Sequence, residues 1–412
     1  EMLVDAYLQL HRAGVIKRAV YDDLTVQALL NAGAIDDAVG PRTLSALLDA
    51  GAIHAELTKE DVAYLKFVGV FHERVAWSKD GLAAGDDEPD ITPDLADRDA
   101  RSEIEARCLG AHLAGPTLVH GGFFLGPNDF YQRLRELDPD TRERFHMTSV
   151  GEINHLYGHE ALKRAQRSHA RFINTALKAT LDGAVASDGL ESGQVLSGVG
   201  GQYNFVAQAH ELADARSILC VRAVRSGPNG PESNIVARYG YNTIPRHLRD
   251  IVVTEYGVAD LRGKTDEDIA IALIEIADAR FQDELRAAAV AAGKLSRRYR
   301  IPEAARANTP AAVHGWLAPE RGDGLFPKYP YGCDFTDVEL ALIGALRPLG
   351  SASPARLAAV LARNALKLRR HHAVARPYLE RMSLGQPANW RERWQARLVT
   401  LALLESGAIG HD

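Results

Sequence analysis

At 412 residues the chain can hold two or three domains with ample core, and its formal net charge of −6 excludes a general nucleic-acid binder, which needs a basic face. No apolar run approaches the roughly 18 residues of a membrane-spanning helix, so no membrane span is expected. Its 46% apolar and 25% charged content suits a soluble globular protein, and three scattered cysteines (Cys108, Cys220, Cys333) form neither a zinc pattern nor a disulfide framework, so the expected setting is reducing and cytoplasmic.

The chain enters at Glu1 directly into an amphipathic pattern, which reads as a start cut from a longer protein. MLVDAYLQLHRAGVI has helical spacing and a stop at Gly14. PRTLSALLDAGAI starts a helix on Pro41 and ends it at Gly51. TKEDVAYLKFVG carries Thr58 and Asp61 at capping-box spacing. The acidic, turn-rich run 81–99 predicts a long surface loop, and a helix is expected near 100–113.

From 116 to about 280 the texture is α/β. PTLVHGGFFLG is apolar with a glycine turn, and NDFYQRLREL is a helix. ARFINTAL, QVLSGV, RSILCVRAV, SNIVARYG and DIVVTEYGVA then read as strands, with GPNGPE (227–232) a turn between two of them. TDEDIAIALIEIAD is a helix with Thr265 and Asp268 at capping-box spacing. From about 335 the chain turns helical, in FTDVELALIGALRPLG, SPARLAAVLARNALKLRRHH and RERWQARLVTLALLESG.

Chemistry has several candidate seats. SGVGGQ (197–202) precedes the helical NFVAQAHELAD; its glycines permit close backbone approach, and free N–H groups at a helix start suit an anion or an oxyanion. The competing reading is a tight turn. In DIVVTEYGVADLRGKT, Glu255 stands at the carboxyl end of a buried strand, where open α/β sheets bind ligands, or else forms an ion pair with Arg262. Arg246, His247 and Arg249 form either a phosphate patch or a solvated loop. His155, His159 and Glu160 lack a third metal ligand and a continuous helix, so no metal is expected. Ser197 has no nucleophile-elbow pattern.

INTAL, SGVGGQYNFV and IVVTEYGVADLRGKT, in that order and spacing, resemble the acetyl-CoA hydrolase/transferase family, whose members move CoA between an acyl-CoA and a carboxylate such as acetate, succinate or 4-hydroxybutyrate. The resemblance covers about 116–285, with a weaker echo at DAYLQLHRAGVI. It implies an α/β, CoA-transferase-like open-sheet domain at 116–300. A helical segment at 1–115 would follow an N-terminal half lying before Glu1, and a helical extension would occupy 301–412. It also implies acyl-CoA and a small carboxylate acceptor as ligands, no resident cofactor because CoA is itself the substrate, and a homo-oligomer.

The family resemblance assigns Gly198, Gly200, Gly201 and Gln202 to the thioester carbonyl, and Glu255 and Gly257 to the same cleft. The family's strand ends I-N-S-A-L-E, and that glutamate carries CoA as a thioester. Here Lys178 occupies the matching position, and Asn204 stands where aspartate is common. A lysine would trap the acyl group as an amide, so the resemblance implies an altered route or a binder without turnover. Lys178 would hold a carboxylate, a phosphate or an oxyanion, or would simply snorkel. Water could attack with Glu255 or Asp188 as base, and Asp182 and Glu191 are substitute carboxylates in another register.

Overall fold

The computed structural model describes residues 2–85, 90–348 and 371–409. By internal contacts the chain divides into two units, residues 1–126 with 134–330, and residues 127–133 with 331–412.

The first unit begins with strand β1 (Met2–Leu3) and short helices whose ends the sequence marks. Ala6–Arg12 stops before Gly14 at φ +66°, and Pro41–Asp49 starts on its proline and stops before Gly51 at φ +69°. Lys59–Phe67 has a reciprocal cap: Asp61 N–H donates to Thr58 Oγ1 (3.1 Å), and Thr58 N–H donates to Asp61 Oδ2 (2.8 Å). The apolar stripes of these helices, through Leu44, Leu47, Val62 and Leu65, share one core with Phe71 and Ile104.

The run 81–99 is not a surface loop throughout. Leu82, Ile91 and Leu95 are buried in that core, and β3 (Leu82–Ala83) pairs antiparallel with β2 (Ala76–Trp77). Its acidic composition conceals these apolar anchors, with Ala84 buried beside them; residues 86–89 lie outside the described residues. The helix expected near 100–113 runs Arg98–Arg107, because Asp97 caps it early by accepting from the N–H groups of Asp99 and Ala100. Beyond it, β4 (Val119–Gly121), β5 (Phe123–Phe124) and β6 (Phe145–Met147) form two short parallel pairs, β1 with β5 and β4 with β6.

The α/β part follows, with β7 (Arg171–Ala176), β8 (Lys178–Thr180), β9 (Val185–Ala186), β10 (Arg216–Val221), β11 (Val224–Gly227), β12 (Gly230–Ser233), β13 (Ile235–Val236), β14 (Ile251–Thr254) and β15 (Gly257–Asp260). An open sheet has the order β15-β14-β10-β7; β7, β10 and β14 are parallel, and β15 folds back antiparallel on β14. A smaller sheet, β13-β8-β9, and the β11–β12 hairpin stand beside it. One face of the open sheet, through Leu219, Val221 and Val252, packs with Val206 of helix Gln202–Glu211 and with Ile269, Leu273 and Ile274 of helix Asp266–Glu275. Each such side chain contributes roughly 1.5–3 kcal/mol when fully buried.

Three strand expectations change. QVLSGV forms no strand; residues 191–200 are exposed, and Val195 makes only an isolated bridge to Gly189. Without a neighbour along its length, its β propensity has no ladder to join. DIVVTEYGVA is a tight hairpin and not one strand, with Glu255 and Tyr256 at its turn. SNIVARYG is split between two pairings: Ser233 ends β12 opposite Val224, Ile235 and Val236 pair with β8, and residues 237–240 form no strand.

The second unit is helical. Asp337–Leu346, His372–Arg381 and Trp390–Glu405 bury Leu342, Leu379 and Leu403 in a core of their own. The helix expected from SPARLAAVLARNALKLRRHH falls almost wholly on 349–370, outside the described residues.

Candidate functional site

The carboxyl ends of β7, β10 and β14 open into a cleft of about 670 Å³, floored by Thr175, Cys220 and Val253. Parallel strands leave their last residues free to meet a ligand, and crossover connections keep that edge uncovered. Lys178 and Glu255, separated by most of the domain in sequence, both line it.

Lys178 reaches the cleft because the chain changes sheets. β7 ends at Ala176, and β8 starts two residues later in the smaller sheet, where Lys178 opposes Ala186. Its side chain is buried, its Nζ donates to the Ser233 carbonyl (3.2 Å) and lies 5.6 Å from the Tyr239 ring centre. No carboxylate stands within ion-pair distance among the described residues. Burial, followed by repulsion from Arg225, lowers the ammonium pKa below its ordinary value against the pull of Glu232 and Glu191.

Glu255 sits at the β14–β15 turn with one oxygen engaged: Oε2 accepts from Ala223 N–H (2.8 Å). The turn itself is locked. Thr254 Oγ1 donates to the Ile276 carbonyl (2.7 Å) and accepts from Tyr256 N–H (3.1 Å), and Tyr256 donates its hydroxyl proton to Asp278 (2.8 Å). Gly257 follows, where an added Cβ would lie 3.2 Å from Ile276 Cγ2. The anticipated Arg262 pair does not form; Arg262 binds Asp250 Oδ2 (2.6 Å) and the carbonyls of Ala215 and Ala209.

The cleft is lined by Leu190 and Leu196 from the segment before the glycine-rich loop, and not by Gly198, Gly200 or Gly201. Gly200 uses its freedom at φ +60°, and Gly201 caps the helix that starts at Gln202. Gln202 is buried and donates from Nε2 to the Thr175 carbonyl (2.9 Å), tying that helix to the cleft floor. Asn204 turns away, with its amide 3.0 Å from His155 Nδ1.

Other candidates are occupied elsewhere. Asp188 is buried and accepts from the hydroxyls of Thr243 (2.5 Å) and Tyr241 (2.8 Å); the Thr243 bond leads in holding its carboxyl below the usual range, so it has no free oxygen pair to serve as a base. Asp182 accepts from Thr180 (2.5 Å), and Glu191 accepts from Gly240 N–H (3.1 Å). Arg246 and Arg249 both face Asp266, which also binds Lys294 (2.5 Å), so their charges are engaged with a shared carboxylate away from the cleft, with positive charge in excess. His155 ends one short helix, and His159 begins the next at φ 57°, so the two do not share a helical face.

The structure adds residues that sequence reading passed over. Arg222, Arg225 and Tyr239 line the cleft, Arg225 paired with Glu232 (2.5 Å) and the Arg222 side chain without a partner among the described residues. Two arginines directly after the strand RSILCV, at a sheet's carboxyl edge, were the available signal. The cleft thus combines one half-engaged carboxylate with three cations on a mainly apolar floor. Such a set can hold an anion, stabilise an oxyanion and take a proton from water.

Residues 126–289 match the acetyl-CoA hydrolase/transferase C-terminal domain. The matched domain contains both Lys178 and Glu255, and its bounds lie close to the 116–285 of the sequence resemblance; the echo at DAYLQLHRAGVI falls outside it. The chain is 36% identical over 116 residues to a 4-hydroxybutyrate coenzyme A transferase of Clostridium kluyveri, 27% of this chain and 26% of that protein. It is 32% identical over 170 residues to a succinyl-CoA:cyclohexane-1-carboxylate CoA transferase of Geobacter metallireducens, 40% of this chain and 36% of that protein. The chain therefore spans about a quarter to a third of the length of these curated relatives. Among solved structures, RipA of Yersinia pestis aligns at 30% identity over 42% of this chain and 37% of that one, with a TM-score of 0.36. No helix among the described residues is long and apolar enough to cross a membrane.

Proposed function

We propose that this protein acts on short acyl-CoA thioesters in the cleft between Lys178 and Glu255, with water as the acceptor that this chain's residues favour. The observation that carries the reading is the pairing of an open carboxylate oxygen on Glu255 with the buried, carboxylate-free Lys178 ammonium in one cleft of the matched domain. Lys178 takes the position where the resembling family has its nucleophilic glutamate. An ammonium cannot form the glutamyl thioester that hands CoA to a second carboxylate, but it can stabilise the oxyanion of a tetrahedral adduct.

In this route Glu255 takes a proton from water as the water oxygen bonds to the thioester carbon. Collapse of the adduct breaks the C–S bond, and Glu255 returns the proton to the leaving sulfur, yielding a carboxylic acid and free CoA. Arg222 holds the charge of the acyl-CoA or of a carboxylate product. The names of the relatives, all CoA transferases, support acyl-CoA and carboxylates as the ligand classes. A reducing, cytoplasmic setting and a homo-oligomer belong to the same proposal, supported by the cysteine pattern and the family resemblance respectively.

A second reading, a binder of CoA thioesters without turnover, is favoured by Lys178 itself. Turnover separates the two: the enzyme releases thiol from acetyl-CoA, whereas the binder only gains thermal stability with ligand. Thiol release that disappears in Glu255→Gln supports the enzyme, and wild-type protein that is stabilised by acetyl-CoA without releasing thiol supports the binder.

A further inference from the structure

A second cleft, of about 510 Å³, lies in the first unit and shares no lining residue with the first. One wall is basic. His120 and His146 face each other across the parallel β4–β6 pair, ring centres 5.5 Å apart, and neither imidazole has a hydrogen-bond partner among the described residues. Arg18 donates only to the carbonyls of Gln166 and Ser168. Arg167 donates only to the Gln208 side chain and the Glu152 carbonyl (3.0 Å). Both guanidiniums therefore rest on neutral acceptors. Two carboxylates also line the cleft: Glu152 is paired with Lys163 (3.0 Å), and the exposed Asp22 accepts from Gln166 (3.2 Å) and keeps its charge, so the cations remain in excess. The opposite wall is apolar and ends in Phe172 and Phe205, stacked at 5.6 Å and 15°.

Arg167 and His120 are partly buried and Arg18 and His146 stand at the surface beside them; none of the four forms an ion pair among the described residues, and such groups converging on one cleft suit an anion. Four such groups from separate chain segments exceed what a carboxylate's two oxygens and single charge can satisfy, whereas a phosphate monoester offers three oxygens and nearly two charges. The flat aromatic wall suits a planar ring, and the volume falls in the range of small-ligand pockets. We propose that this cleft binds a phosphate monoester carried on a planar aromatic group, as in a mononucleotide. Its source is either the nucleotide end of a CoA or a free nucleotide. This site goes beyond the thioester reading and stands without it.

The test is a titration of the imidazole resonances of His120 and His146 in the whole chain with 3′,5′-ADP, AMP, adenosine and inorganic phosphate. Arg18→Gln and His146→Gln serve as variants, since both side chains lie at the surface and neither supports the core. Saturable shifts with a nucleotide, weakened about tenfold or more in each variant and retained in Lys178→Ala, are expected. Preference for 3′,5′-ADP over AMP assigns the ligand to CoA, and equal affinity assigns it to a free nucleotide; both uphold the site. Absence of shifts with every phosphate, or shifts unaltered by both variants, overturns the proposal. Inorganic phosphate binding as tightly as AMP overturns its aromatic half. Because Lys178 and Glu255 lie in the other cleft, loss of thiol release in their variants leaves this result unaffected.

Discussion

At the scale of single residues, the account rests on an exposed carboxylate fixed by its turn and on buried charges at Lys178 and Asp278. Glu255 keeps its position through the Ala223 N–H and the locked hairpin turn, so Glu255→Gln preserves the fold while removing the base. Steady-state thiol release should fall by roughly 10²–10⁴-fold, with little change in melting temperature. Lys178 has a lowered pKa, so the folded state binds its proton less well than the unfolded chain does. Its penalty is present below the folded pKa and fades as pH rises toward the ordinary lysine value near 10.4, which means stability rises with pH across that window. Lys178→Met should therefore raise the melting temperature at pH 7 and lower turnover, with the stability gain shrinking at alkaline pH; an unchanged or lower melting temperature at pH 7 speaks against a buried, unpaired cation. Asp278 behaves in the opposite sense. Burial pushes its carboxyl up, but Arg280 (2.8 Å) and the Tyr256 hydroxyl more than offset this, leaving its pKa low. Its stabilisation is present above the unfolded carboxylate pKa and is lost as pH falls through the folded one. Because Arg280 is nearly half exposed, Asp278→Asn should cost about 1.5–3 kcal/mol near neutral pH, read by urea denaturation, and should flatten the acid limb of the stability curve.

At the scale of elements, helix termini carry measurable energy. Thr265 accepts from Asp268 N–H (3.2 Å) at the start of the helix that buries Ile269, Leu273 and Ile274 against the open sheet. Thr265→Ala should destabilise the protein by about 1 kcal/mol, seen as a lower denaturation midpoint with an unchanged denaturant slope. This cap, the Thr58 box and the glycine stops were legible because a capping side chain lies within three residues of what it caps. The candidate site was legible in part for the same reason: Glu255 follows a strongly apolar strand, and its neighbours fix the turn locally. The remainder depended on distant partners. QVLSGV has strand composition but no ladder to join; the acidic run 81–99 is held by a few scattered apolar residues; and Asp188 looks available in sequence until Thr243 and Tyr241 fold over it. Arg222 and Arg225 were visible just after the strand RSILCV, but nothing in local spacing showed that they share a cleft with Lys178.

At the scale of the whole molecule, residues 126–289 match the acetyl-CoA hydrolase/transferase C-terminal domain, in a chain spanning about a quarter to a third of its curated relatives. The cleft lies at the carboxyl edge of the open sheet, where open α/β sheets bind ligands, and the proposal places thioester cleavage by water there in preference to CoA exchange through a glutamyl thioester. The central claim is therefore tested by free-thiol release from a panel of short acyl-CoAs, run in parallel with and without acetate or succinate. The account predicts release that needs no added carboxylate and that drops by at least 10²-fold in Glu255→Gln. Release that requires acetate or succinate, or that survives loss of the Glu255 carboxylate, would contradict it.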